Sequence, residues 1–317
     1  MTTTIARADR RLTALPRPDR WHRPLLALTA GMLVVAVACA VLAIADPREV
    51  LGQNAWFKPL KFSLSIAIYA LTLAWLIGQV RRWRRAAEIG GTIVVIALVA
   101  EMVIIIGAAA TGTTSHFNVT TPLNTTLWSV MAGSIVVVWL VTLLIGIALA
   151  FSPTADAARN VAIRAGVALG IVGMAVAFFM TGPTAAQLSD FQGIAGAHAV
   201  GVPDGGPGLP FLGWSTEGGD LRVPHFVGMH ALQFLPLAVI VLELFSRRVP
   251  ALRDVVVRRR VMLVLAAAYA AAILILTGQA LSGQPVTAPS GTVLVAGLAV
   301  AVATPVACGA LVAGARR

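Results

Sequence analysis

The sequence predicts an all-α integral membrane protein, a bundle of about eight transmembrane helices with both termini in the cytoplasm and one long Gly/Pro-rich extracytoplasmic loop. Hydrophobic residues make up 58% of the 317 residues and charged residues only 12%, against about 25% charged in soluble domains. Apolar runs of about 20 residues, the length that crosses a hydrocarbon core, recur along the chain. Basic residues fall almost entirely in alternate connections between these runs.

Each apolar run predicts one helix. The runs lie near residues 25–45, 60–80, 90–110, 127–150, 161–180, 226–245, 261–281 and 291–312. The first run is longer than the apolar core of a signal peptide and lacks a good cleavage site, so it is expected to remain as helix 1. The predicted organisation is a basic cytoplasmic arm (1–24), a single helical bundle (25–312) and a short cytoplasmic tail (313–317).

The basic residues predict the orientation. All of the 24 Lys and Arg residues except Arg48, Lys58, Lys61 and Arg222 lie in the arm, in the tail or in the connections after helices 2, 4 and 6. Lys and Arg that flank membrane helices stay on the cytoplasmic side, so both termini are expected inside. The same rule accounts for the net charge of +11, with anionic lipid headgroups of the bilayer as sufficient partners. No nucleic-acid partner is predicted, and the oligomeric state is left open.

The longest polar interruption, about residues 181–225, is expected to fold as a cap over the outer helix ends. Long loops inside compact proteins are usually functional or disordered, and the Trp, Phe and His residues here argue against disorder. The strings PDGGPG and EGGD favour tight turns that only Gly adopts freely. Asp220 and Arg222 can pair within this loop.

Four of the five histidines, His116, His198, His225 and His230, fall on the predicted outer side. His230 is expected about one to two helical turns below the surface, where polar groups usually face a protein interior or a wet cavity. His225 and His230 are five residues apart, whereas chelating pairs on a helix are three or four apart. Ligation of a metal or haem by some of these histidines and simple structural hydrogen bonding both stay open. Gln233 lies beside His230, and Pro236 predicts a kink in helix 6.

Glu101 lies near the middle of helix 3, where a carboxylate must be paired, protonated or beside water. If helix 3 persisted to His116, the two side chains would lie about 60° apart around the axis. Lys58 and Lys61, the only lysines, lie on one face at the outer end of helix 2. They are expected to neutralise Glu101, to meet acidic residues of the loop or to hold an anionic ligand. Glu243 is expected to pair with Arg247 near the cytoplasmic end or to snorkel toward the membrane surface.

These residues predict an outward-facing polar pocket that binds a small ligand, with haem, a metal ion or a quinone as candidates and a redox role as one version. His230, His116, Glu101 and Lys61 are expected to line it. One alternative is a secondary transporter or channel in which Glu101 is the coupling carboxylate. Another is a non-catalytic membrane sensor or assembly factor. A membrane enzyme with an outward active site is also open, although no nucleophile motif supports a catalytic assignment.

The strings WFKPLKFSLS, SHFN and DGGPGLPFLGWSTEGGDLRVPHFVGMHALQ resemble an uncharacterised family of bacterial multi-pass membrane proteins. The resemblance covers helices 2 and 3 and residues 202–236. It implies a shared helical architecture in the bacterial cytoplasmic (inner) membrane but implies no activity.

Overall fold

The computed structural model describes residues 20–315. Most of the predicted arm (1–24) and the last two residues of the tail lie outside this range. The helices are α1 Arg23–Ala45, α2 Phe57–Gln79, α3 Arg84–Thr111, α4 Pro122–Ala150, α5 Ala157–Val176, α6 Ala185–Ser189, α7 Arg222–Met229, α8 Ala231–Phe245, α9 Val255–Leu281 and α10 Gly291–Gly314. Two short antiparallel strand pairs are present, β1 Glu49–Val50 with β2 Gln53–Asn54, and β3 Ala199–Val200 with β4 Gly219–Asp220, together with 3-10 helices at Ala177–Met180 and Pro250–Arg253.

Seven helices of the described chain are long and apolar enough to cross a membrane, and α7 with α8 forms an eighth span as a bent pair. The predicted all-α membrane protein is confirmed at this level, and each of the eight apolar runs corresponds to one of these spans. A helix satisfies most of its backbone hydrogen bonds internally, which is the condition for placing a peptide chain in hydrocarbon.

The largest core lies among α1 to α5, around Leu73, Ile77 and Val94, and it includes Leu232 of α8. By contrast, α10 has no buried residue and packs chiefly along α9. Its exposed Val and Leu side chains are typical of a helix surface that faces lipid.

Helix α5 approaches α7 and α8 very closely through three glycines. A Cβ atom added at Gly173 would lie 2.2 Å from the Gly228 carbonyl carbon, and one added at Gly166 would lie 2.9 Å from the Ala231 carbonyl oxygen. A Cβ at Gly170 would lie 2.6 Å from Leu232. The small residues of helix 5 therefore set the distance between these helices, as such residues do in membrane bundles.

Helix α7 meets α8 at a bend of 41°. The sequence predicts a kink at Pro236, but the helix break lies earlier, at His230, and Pro236 lies inside α8. At the break, the Gln233 N–H donates to the carbonyl of His230, an i to i−3 bond that tightens the turn. The close contact between Gly228 and Gly173 lies just before this point.

The predicted pairing of Glu243 with Arg247 is wrong. Glu243 is buried and forms a bidentate ion pair with Arg159 of α5, with both N–O distances 2.6 Å. Arg159 reaches it because α5 packs along α8. The carboxylate of Glu243 thus pairs with an arginine on the neighbouring helix and not with the arginine four residues away in the sequence.

Candidate functional site

Glu101 is the most unusual polar residue of the bundle. Its side chain is 1% exposed, and neither carboxylate oxygen makes a hydrogen bond to any described residue. Burying a polar group without a hydrogen bond costs several kcal/mol in an apolar medium, and burying an isolated charge costs more. Hydrogen bonds within residues 20–315 therefore do not offset the burial cost of this carboxyl group.

His116 reaches Glu101 through a loop that folds back into the bundle. Helix α3 ends at Thr111, about 15 Å along the axis from Glu101 at 1.5 Å per residue. Gly112 then adopts a left-handed conformation, φ 69°, and the chain returns. The His116 Nε2 atom lies 3.8 Å from Oε1 of Glu101, which is too far for a hydrogen bond.

The returning loop is anchored beside His116. Phe117 adopts φ 64°, a conformation that is costly for a bulky residue and persists only where the surroundings hold it. The Phe117 carbonyl accepts from the Ala195 N–H at 2.8 Å, and Asn118 forms a β-bridge with Ile194. The loop after α3 is thus tied to the long loop.

Aromatic rings enclose the His116 imidazole. Its centroid lies 5.5 Å from Phe62, 5.5 Å from Trp128, 5.9 Å from Phe117 and 6.5 Å from His198. The Ser115 hydroxyl lies 3.1 Å from Nδ1. Burial, together with the charges of Lys58 and His198, lowers the pKa of His116 well below its usual value. The imidazole is therefore neutral near pH 7.

The two lysines of α2 have separate environments. Lys58 interacts electrostatically with Glu101 and makes no hydrogen bond to the part of the chain that the structure describes. Lys61 donates to the Leu212 carbonyl at 3.0 Å and to Gln53 Oε1 at 3.3 Å. Lys58 therefore belongs with Glu101, and Lys61 fastens the long loop to α2.

A second histidine, His198, faces His116 from the long loop. The Nδ1 atom of His198 donates to Asp204 Oδ2 at 2.6 Å, and the backbone N–H groups of His198 and Ala199 donate to the same carboxylate. Although burial raises the pKa of Asp204, these hydrogen bonds and the His198 charge hold it well below its usual range. Burial lowers the pKa of His198 despite the neighbouring carboxylate.

The long loop is closed at its base and covers helix ends. Strand β3 pairs with β4, and Asp220 forms an ion pair with Arg222 at 2.6 Å. Arg222 also donates to the Gly213 carbonyl. A Cβ atom at Gly219 would lie 1.9 Å from the Ala280 carbonyl oxygen, so the loop is pressed against the end of α9. Together with the Lys61 contact, this makes residues 199–220 a cap over α2 and α9, which we call the cap segment.

His225, His230 and Gln233 join helices. His225 Nδ1 donates to the Gly173 carbonyl at 2.9 Å. His230 Nδ1 lies 3.1 Å from Gln233 Oε1, and the Gln233 amide donates to Thr72 Oγ1 at 3.0 Å. These bonds connect α7 with α5 and α8 with α2. They match the structural role that sequence reasoning left open for these histidines.

The structure thus brings Glu101, Lys58, His116 and His198 together. It places Lys61, Asp220 and Arg222 in or against the cap segment, and it uses His225, His230 and Gln233 between helices. Sequence reasoning did not include a further set of residues that shape the site, namely Phe62, Ser115, Phe117, Trp128 and Asp204. Three of these residues lie in motifs that the sequence analysis identified, Ser115 and Phe117 in SHFN and Asp204 in PDGGPG.

Within residues 20–315, no group of three or more His, Cys, Asp or Glu side chains is arranged to hold a metal ion. The histidines His116, His198, His225 and His230 nevertheless each have a hydrogen-bonding contact through Nδ1. In His116 this leaves Nε2 directed toward Glu101.

Comparison with known proteins found no protein-family model that matches this chain and no significantly similar curated protein or solved structure. The resemblance to a bacterial membrane family stays a prediction.

Proposed function

We propose that this chain is a multi-pass protein of the bacterial cytoplasmic membrane, with both termini inside, that binds a small molecule in an outward-facing site around Glu101, His116 and Lys58. The observation that carries the proposal is the carboxylate of Glu101, buried with neither oxygen hydrogen-bonded to a described residue. Bound ligand atoms that donate hydrogen bonds would remove the cost of this burial.

The groups around Glu101 favour a ligand with a planar ring and polar oxygens. His116 supplies a neutral imidazole, Lys58 an ammonium group, and Phe62 and Trp128 supply aromatic surface beside the imidazole. Aromatic walls with a few convergent polar groups are typical of small-molecule sites. Among haem, metal and quinone, the head group of a quinone fits this set best, because the hydroxyl groups of its reduced quinol form can donate to Glu101 and the carbonyl oxygens of its oxidised form can accept from Lys58. A metal ion lacks a third protein ligand among the described residues.

The decisive experiment is analysis of the full-length protein purified in mild detergent. Bound quinone is extracted and quantified by mass spectrometry, and the visible spectrum and metal content are measured on the same sample. Titration with menadiol and a short-chain ubiquinol, the reduced forms whose hydroxyl groups can donate to Glu101, then gives the affinity. We expect bound quinone in the wild type and severalfold weaker binding in Glu101→Gln.

A matched control is Glu88→Gln. Glu88 lies on the same helix but near its other end, where it pairs with Arg84 at 2.9 Å, so its removal changes the net charge equally. We expect wild-type quinone binding in this variant. Equal binding in all three proteins, or no bound quinone, haem or metal, would contradict the proposal.

A secondary transporter is the second candidate, favoured by the break of 41° between α7 and α8. Broken membrane helices form the moving elements and binding sites of many transporters. In this candidate the buried Glu101 carries the coupled proton. Reconstituted protein should then show solute uptake driven by a proton gradient, lost in Glu101→Gln and retained in Glu88→Gln. Proton-driven uptake that persists in Glu101→Gln would exclude Glu101 as the coupling group.

A further inference from the structure

A second polar feature lies at the end of the bundle opposite the cap segment. Here the starts of α1 and α3 border a cleft of about 410 Å³ that is lined by Arg20, His22, Arg23, Arg84, Arg85 and Thr92, among others. The site around Glu101 is separate from it, since neither Glu101 nor His116 lines this cleft. Four arginines and one acidic residue, Glu88, give the cleft a strongly positive charge.

The floor of the cleft is fixed by buried contacts. His22 is 7% exposed, caps α1 by accepting from the Leu25 N–H, and lies 3.3 Å from Thr92 Oγ1 of α3. Arg84 pairs with Glu88 and donates to the carbonyls of Arg20 and Gly78. These bonds hold the starts of α1 and α3 together, so the cleft is formed before any ligand arrives.

Three guanidinium groups at the cleft have no hydrogen-bonding or ionic partner among the described residues. The side chains of Arg20, Arg23 and Arg85 are exposed and make no ion pair or hydrogen bond to any residue in the described range 20–315. Among the described residues that line the cleft, the one acidic residue, Glu88, is engaged by Arg84. Guanidinium groups bind phosphate oxygens in a bidentate manner, so this arrangement suits a phosphate group.

Apolar surface continues from the cleft along α3. Ile89, which lines the cleft, is 55% exposed, and Ile93 and Ile96 on the same helix are 41% and 66% exposed. A soluble phosphate would leave this surface uncovered, whereas the acyl chains of a phospholipid would lie along it. The charge and the apolar surface together favour a lipid.

We infer that this cleft binds the phosphate headgroup of an anionic phospholipid, with Arg20, Arg23 and Arg85 around the phosphate and the acyl chains along α3. The site holds one lipid in a fixed position, in contrast to the diffuse attraction that inner-face arginines exert on an anionic membrane. It is independent of the proposed function at Glu101.

The test is native mass spectrometry of the full chain, delipidated in detergent and titrated with phosphatidylglycerol or with phosphatidylcholine of the same acyl chains. We expect one phosphatidylglycerol to bind more tightly than phosphatidylcholine. The triple variant Arg20→Gln, Arg23→Gln, Arg85→Gln should bind it on the order of a hundredfold more weakly, since the contributions of the three arginines to binding of an anionic lipid multiply.

The matched control changes three exposed arginines elsewhere, Arg247→Gln, Arg248→Gln and Arg260→Gln, with the same loss of charge. It should bind phosphatidylglycerol like the wild type. Equal loss in both triple variants, or no preference over phosphatidylcholine, would overturn the inference. If the cleft variant does not fold, the single exposed change Arg85→Gln replaces it, with an expected severalfold loss. Inorganic phosphate that binds as tightly as the lipid would overturn the lipid assignment while keeping the phosphate site.

Discussion

The Nε2 atom of His116 lies 3.8 Å from Oε1 of Glu101, yet these residues come from a loop and from the middle of a membrane helix. The distance is too long for a hydrogen bond, and Glu101 has no other hydrogen-bonding partner among the described residues. The bundle therefore encloses a carboxyl group whose hydrogen bonds to the described residues contribute nothing to the stability of the bundle.

The first prediction compares two buried glutamates. Glu101→Gln breaks no hydrogen bond to a described residue and removes a buried ionisable group, so the Tm of the ligand-free protein should stay level or rise. Glu243→Gln breaks the bidentate pair with Arg159 and should cost about 1–3 kcal/mol. Thermal unfolding in detergent measures both. A loss of stability in Glu101→Gln as large as that in Glu243→Gln would show that Glu101 is structurally bonded.

The second prediction concerns acid pH. His116 has a folded-state pKa well below its usual value, so the unfolded chain binds its proton first as pH falls. Stability from this group is full above about pH 6.5 and is lost below it, by at most about 1.4 kcal/mol per pH unit.

We expect the Tm of the wild type to fall between pH 7.5 and pH 5.5, and to fall less in His116→Gln. His198 has a lowered pKa as well and Lys58 and Glu101 face His116, so the variant should reduce the slope without abolishing it. An unchanged slope would show that the pKa of His116 in the folded protein is not lowered from its value in the unfolded chain.

The third prediction concerns the cap segment. Asp204 accepts from His198 Nδ1 and from the N–H groups of His198 and Ala199. Asp204→Asn keeps only one acceptor oxygen and removes the charge, so the N–H groups should exchange about tenfold faster or more. Hydrogen exchange read by mass spectrometry follows the peptide around residues 198–204. Asp190→Asn is the control, since Asp190 is exposed and accepts a side-chain bond only from Gln192. Equal exchange in the two variants would show that Asp204 does not hold the cap segment.

The fourth prediction concerns helix contact. Gly173→Ala places a methyl group 2.2 Å from the carbonyl carbon of Gly228, so α5 and α7 must separate. We expect a loss of about 1–3 kcal/mol and a lower Tm. Gly107→Ala on α3 meets nothing within 4 Å and should leave the Tm unchanged or slightly higher. Wild-type stability in Gly173→Ala would show that the two helices are not in close contact.

Sequence reasoning was most accurate where a local physical property decides the structure. The apolar length of each run fixes a helix, because hydrocarbon admits little else. The same reasoning failed where two helices compete for one side chain. Glu243 was expected to pair within its helix with Arg247, but Arg159 of α5 lies within 2.6 Å. Spacing along one helix cannot reveal a cation on its neighbour.

For the candidate site too, properties of single residues could be predicted from the sequence, whereas contacts between distant residues could not. The sequence alone determined that Glu101 is a costly carboxylate inside an apolar helix, that four histidines lie toward one end, and that the Gly-rich loop folds back on itself. Only the tertiary structure decided which of these residues meet. His116 reaches Glu101 through the returning loop after α3, whereas His225 bonds to the Gly173 carbonyl of α5 and His230 contacts Gln233 in the first turn of α8. The physical reason is that burial cost is a property of single residues, while distances between residues depend on how the helices and loops pack.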